Sequence, residues 1–117
     1  MQAIIVATDQ DERDILSYVL RHAGLSAAPG SDLKGVLENW LGHPADLVLV
    51  ALDEGNALLR DVAQLRSATE APLLVMVDPI QEEKLCSVLR AGADLVLLRP
   101  VSPRSLAEYC QVLLRRC

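Results

Sequence analysis

The sequence is short of the residues on which several chemistries depend. Cysteine occurs three times, at Cys86, Cys110 and Cys117, with no Cys-x-x-Cys spacing. The pattern indicates neither a disulfide framework nor a zinc site, and ordinary thiols in a reducing compartment are expected. No apolar run approaches the roughly 20 residues of a membrane-spanning helix. Met1 leads directly into a strand-like run, with no basic segment before it and no cleavage-like site after it. No signal peptide is therefore expected, and the expected location is the cytoplasm. Basic residues are outnumbered, 11 Lys and Arg against 16 Asp and Glu, for a formal charge of −5. Phosphate binding needs a basic patch, so this domain is not expected to grip nucleic acid or a membrane by itself. Gly24, Gly30, Gly35 and Gly42 are scattered and make no phosphate-cradling loop. No Ser-His-Asp or Cys-His arrangement is apparent, and His22 and His43 fall at expected helix ends, where an imidazole commonly caps or is solvated.

What is present is a folding pattern. The 117 residues are 51% apolar, which suits one domain with its own core. The chain is organised around Asp46-Leu47-Val48-Leu49-Val50-Ala51-Leu52-Asp53, an apolar run without alternation. Such a run predicts a strand buried on both faces, as in the middle of a parallel sheet. Four more strands are predicted: Ala3-Ile4-Ile5-Val6-Ala7, Leu25 to Ala28 closed by Pro29-Gly30, Leu73 to Val77, and Leu95 to Leu98. Between and after them lie five segments of helical spacing. The first, capped within Thr8-Asp9-Gln10-Asp11, carries Ile15, Leu16, Val19 and Leu20, and Gly24 ends it. The second, capped by Ser31 or Asp32, carries Leu33, Val36, Leu37, Trp40 and Leu41. The third carries Leu58, Val62 and Leu65, and the fourth spans about 80–91. The fifth opens on Ser102-Pro103 and carries Leu106, Cys110, Leu113 and Leu114. Strict alternation predicts an α/β three-layer sandwich, flavodoxin- or CheY-like, with a five-stranded parallel sheet in the order 2-1-3-4-5 and five helices.

Over the whole chain the sequence resembles the receiver domain of response regulators. The segments that carry the resemblance are Ala3-Ile4-Ile5-Val6 with the helix to Gly24, Ala45-Asp46-Leu47-Val48-Leu49-Val50, Leu89-Arg90-Ala91-Gly92-Ala93-Asp94, and Arg99-Pro100-Val101-Ser102-Pro103. The closing Leu113-Leu114-Arg115-Arg116 is most similar to the subgroup that precedes a winged-helix DNA-binding domain. The resemblance implies phosphoryl transfer to an aspartate, with an acidic pair on Mg²⁺ and a lysine and a hydroxyl on the phosphoryl oxygens. Carried over residue by residue, the acidic pair falls on Ala7 and Thr8, the phosphoacceptor on Ala51, the hydroxyl residue on Val77 and the lysine on Arg99. Every part of that apparatus is altered, so the chain resembles an atypical receiver, or pseudo-receiver, with no cofactor expected and Mg²⁺ disfavoured.

Two sets of residues remain as candidates. Asp9, Asp53 and Asp78 each follow a strand end, with Arg99 expected among them; they form either a relocated acidic site or charges neutralised by Arg99. In the family the fourth helix, fifth strand and fifth helix form a dimer face. There the candidates are Leu95, Tyr109, Arg90, Asp94 and Glu108, with Leu95 alternatively covered by its own helices. The expected function is a non-enzymatic, phosphorylation-independent receiver that regulates an output, such as transcription, through protein–protein contact. Its partners would be a second copy, an attached or associated DNA-binding domain, or a partner protein or small ligand acting as input. The 117 residues would then be the N-terminal part of a longer regulator. The alternatives are a receiver whose acceptor has moved to Asp53, and a flavodoxin-like small-ligand-binding protein or enzyme.

Overall fold

A computed structural model describes residues 1–30, 45–51 and 58–115. Five strands, β1 (Gln2–Ala7), β2 (Ser26–Gly30), β3 (Leu47–Ala51), β4 (Leu73–Val77) and β5 (Leu95–Leu98), form one parallel sheet in the order β2-β1-β3-β4-β5. Among the described residues there are four helices: α1 (Gln10–His22), α2 (Leu58–Ala68), α3 (Glu82–Ala91) and α4 (Pro103–Arg115). The helix expected over 31–41, with Trp40, lies outside the described residues, as do His43, Asp53 and Cys117.

The sheet follows from its sequence. In β1, β3 and β4 the side chains on both faces are buried, so these strands are apolar at successive positions rather than at alternate ones. One face presents Ala3, Ile5, Ala7, Leu47, Leu49, Ala51, Leu74, Met76 and Leu97 to Leu16, Val19 and Leu20 of α1 and Leu106, Cys110 and Leu113 of α4. The other presents Ile4, Val6, Val48, Val50, Leu73, Val75 and Val77 to Leu58, Val62 and Leu65 of α2 and Val88 of α3. Each fully buried Leu or Val adds about 1.5–3 kcal/mol to folding.

The helix ends use local chemistry. Asp9 caps α1, its Oδ1 accepting the Asp11 N–H at 3.3 Å. Ser102 caps α4 by accepting the Ser105 N–H at 3.1 Å, with Pro103 in the first turn as expected. Two expectations need correction. β2 runs through Pro29 and Gly30 instead of stopping before them; it is an edge strand, and a proline can sit there without breaking a ladder. The helix expected from about residue 80 begins at Glu82, after the cap position at Gln81.

The loops between the elements are tied by one arginine. Arg66, at the end of α2, donates through Nη1 to Gly92 O (3.1 Å) and Asp94 Oδ2 (2.9 Å). Its Nη2 donates to Thr69 O (2.9 Å) and Ala71 O (2.6 Å). Asp94 also accepts the Leu73 N–H at 2.7 Å, so this carboxylate joins the starts of β4 and β5. Gly92 has φ +131°, and a Cβ there would collide with the stem of Arg66.

Candidate functional site

Parallel register sets the carboxyl ends of the strands side by side. Ala7 pairs with Ala51, Ala51 with Met76, and Met76 with Leu97. Each step keeps the same face, so the four side chains form a row turned toward α1 and α4. The row is buried, with Ala7, Ala51 and Met76 at 0%, 1% and 5% exposure. Ala7 and Ala51, onto which the resemblance carries an acid and the acceptor, are therefore part of the apolar core. Val77, at the hydroxyl position, is also buried but faces the α2 and α3 layer. Thr8 is exposed just beyond β1.

Two arginines occupy the mouth of the sheet. Arg13, in the first turns of α1, reaches back so that its Nη1 donates to Ala7 O at 2.7 Å and Thr8 O at 3.0 Å. Arg99, just past β5, donates its backbone N–H to Val77 O at 2.8 Å. Its guanidinium turns toward α1 and grips Glu12 in a bidentate pair, Nε to Oε2 and Nη2 to Oε1, both 2.9 Å. Asp78 Oδ1 lies 3.6 Å from Arg99 Nη1 and is mostly exposed.

The acids expected around Arg99 are thus only partly gathered. Asp78 is beside it, Asp9 is engaged as the α1 cap, and Asp53 lies outside the described residues. The main partner is Glu12, which the sequence reading missed together with Arg13. Their signal was adjacency: both sit one helical turn past the end of β1, where a long side chain can reach the strand ends. Among the described residues, no three His, Cys, Asp or Glu side chains stand close enough together to hold a metal ion. Ala7 and Ala51 offer no side-chain oxygen, and the carbonyls of Ala7 and Thr8 already face the Arg13 cation. The side chains of Ala7 and Ala51 therefore supply none of the oxygen ligands that Mg²⁺ takes.

Beside Arg99 a cavity of about 350 Å³ opens between α1 and the β5–α4 connection. Its interior is apolar, including Leu16, Met76 and Leu106, and its rim carries Asp9, Asp11, Glu12 and Arg99. A second, shallower cavity of about 280 Å³ lies on the opposite side of that connection, lined by Leu98, Pro100, Val101 and Tyr109 among others.

The dimer-face candidates divide. Tyr109 is exposed, as are Arg90 and Glu108. Leu95 packs against the α1 and α4 core, and Asp94 is engaged with Arg66 and the Leu73 N–H. By strand parity Leu95 and Leu97 share the face toward α1 and α4, whereas Leu98 falls with Val96 on the other face, at the end of an edge strand, and is 43% exposed. Leu89 on α3 is exposed to a similar degree.

A five-stranded parallel sheet in this order is the flavodoxin- and CheY-like class of α/β domain. Comparison with known proteins agrees. No protein-family model matches the chain. The sensory transduction protein RegX3 of Mycolicibacterium smegmatis is 28% identical over 118 residues, covering 99% of this chain and 52% of that protein. The transcriptional regulatory protein GltR of Pseudomonas aeruginosa is 30% identical over 117 residues, covering 97% of this chain and 48% of that one. A two-component response regulator from Clostridium difficile superposes with a TM-score of 0.86 at 19% identity, covering 99% and 97% of the two chains. The chain is related to response-regulator receiver domains and has their fold. It spans about half the length of the first curated relatives it matches. No described helix is long and apolar enough to cross a membrane.

Proposed function

We propose that this chain is an atypical receiver whose output does not depend on phosphoryl transfer at the usual strand end. The observation that carries this reading is the buried row Ala7–Ala51–Met76–Leu97, which puts apolar side chains where a nucleophile and a metal ligand would have to stand. The two cations at the mouth support it. Arg13 sets a cation against the carbonyls of Ala7 and Thr8 at the strand end, and Arg99 is engaged with Glu12 instead of awaiting a phosphoryl group. The domain is then a non-enzymatic signalling module that needs no Mg²⁺. Its likeness over its whole length to RegX3 and GltR supports a place as the receiver part of a regulator with a transcriptional, DNA-binding output.

The test is a Mg²⁺ titration followed by amide NMR, with acetyl phosphate added at the end point. Unchanged spectra at millimolar metal and no new species after acetyl phosphate are expected. Saturable shifts at the strand ends, followed by a phosphorylated species, would overturn the reading; mapping that species would also reveal an acceptor at Asp53.

Output through contact is proposed for the α3–β5–α4 face, with a second copy as partner. Leu89, Leu98 and Tyr109 supply exposed apolar area on its three elements, and Arg90 and Glu108 supply charge near them. Sedimentation of Leu98→Glu should show a monomer where the parent chain dimerises, and an unchanged dimer would rule this face out.

A further inference from the structure

We propose that the cavity between α1 and the β5–α4 connection binds a small organic cation with an apolar body, of the alkylammonium class. This deepens the reading above, because it supplies an input for a receiver that takes none from phosphate. The cavity, at about 350 Å³, is at the lower end of the range that takes small organic ligands. Its accessible apolar wall, Ile15 with Pro100 and Val101, would cover an alkyl chain lying over the buried floor of Leu16, Met76 and Leu106.

The sign of the charge follows from the rim. Glu12 and Arg99 neutralise each other in their bidentate pair. Asp9 and Asp11 remain, and neither is ion-paired among the described residues. A cationic head beside them, with its chain directed inward, matches both the charge and the apolar interior. A carboxylate ligand would have to face two aspartates and displace Glu12 from Arg99.

The cavity is also placed to affect the output face. Pro100 and Val101 line it on one side and line the smaller cavity beside Leu98 and Tyr109 on the other. A ligand pressing on this segment acts on a wall that both spaces share. Met76, in the interior, is the register neighbour of Ala51, so the ligand would lie next to the row that replaces the acceptor.

The experiment uses three six-carbon probes, n-hexylamine, n-hexanol and hexanoate, titrated into the chain at low salt and followed by amide NMR. Hexylamine should shift the amides of Leu16, Met76, Val101 and Leu106 saturably and bind more tightly than the other two. The double variant Asp9→Asn/Asp11→Asn keeps a capping side chain at position 9 and should weaken hexylamine by about fivefold while leaving hexanol unchanged. Val101→Phe should fill the cavity and weaken all three probes. The inference is overturned if no probe gives saturable shifts at these residues, if hexanoate or hexanol binds as tightly as the amine, or if the double variant leaves the amine unaffected. Acetyl phosphate is read in a separate titration. A phosphorylated species there would overturn the proposed function, whereas silence toward hexylamine alone would overturn only this site.

Discussion

Arg66 and Arg99 are both half-sequestered arginines at loop ends, yet they do different things. Arg66 spends its donors mostly on backbone, on the carbonyls of Thr69, Ala71 and Gly92, with one carboxylate added. Those carbonyls belong to the turns that lead into β4 and β5, so the residue is part of the folding of the α2–α3 side. Arg99 directs its guanidinium at side-chain carboxylates, Glu12 and Asp78, at the edge of a cavity. Its partners can rotate away without opening the backbone. The lesson is to ask what an arginine leaves behind when removed: stranded carbonyls in one case, two carboxylates able to reach water in the other.

The sharpest way to break this comparison is to remove both side chains in turn. Arg66→Met should cost about 3 kcal/mol in urea denaturation, because several part-buried carbonyls lose their donor at once. A loss under 1 kcal/mol would make Arg66 no more structural than Arg99.

The next effect sharpens the contrast from the α1–α4 side. Cys110 is buried in that layer, and desolvation pushes its thiol up from 9.0 to about 11. The unfolded chain therefore releases this proton first. Stability from this group is intact below pH 9, falls between pH 9 and 11, and the total loss is about 2–3 kcal/mol. Cys110→Ala should flatten the alkaline limb of a stability-against-pH series relative to the parent; an unchanged limb would remove Cys110 as its cause.

The smallest effect is expected at Arg99. Arg99→Met and Glu12→Gln should each cost about 1 kcal/mol, and together less than the sum of the two, because both remove the same bidentate contact. A double-mutant cycle in urea checks this. Strictly additive losses would mean that the two side chains do not act as a pair.

Much of this fold is legible in the sequence. The strands and their order were legible because strands buried on both faces are written as unbroken apolar runs, and Leu47–Ala51 is the clearest of them. That Ala7, Ala51 and Val77 end their strands is legible too, because they fall where those runs stop. β2 was cut short because Pro29-Gly30 reads as a terminator unless the strand is known to lie at an edge. The sequence leaves Leu95 open between a dimer contact and cover by its own helices, because Leu-Val-Leu-Leu is apolar at every position and carries no alternation to fix its inward face. Glu12 and Arg99 stand 87 positions apart in sequence, and no local pattern announces a bidentate pair across that separation.

Asp94 has a consequence for signal insulation. In receivers that pair through charged contacts, the ions do more than hold the copies together. They reject related receivers whose charges do not match. Here the Asp94 carboxylate is committed within its own chain to Arg66 and the start of β4. A dimer built on Leu98 and Tyr109 would therefore discriminate chiefly by shape. If the chain pairs through such a face, with only Arg90 and Glu108 as charges near it, it keeps its own identity less strictly than a fully charged one, and mixed pairs with receivers of similar contour are expected.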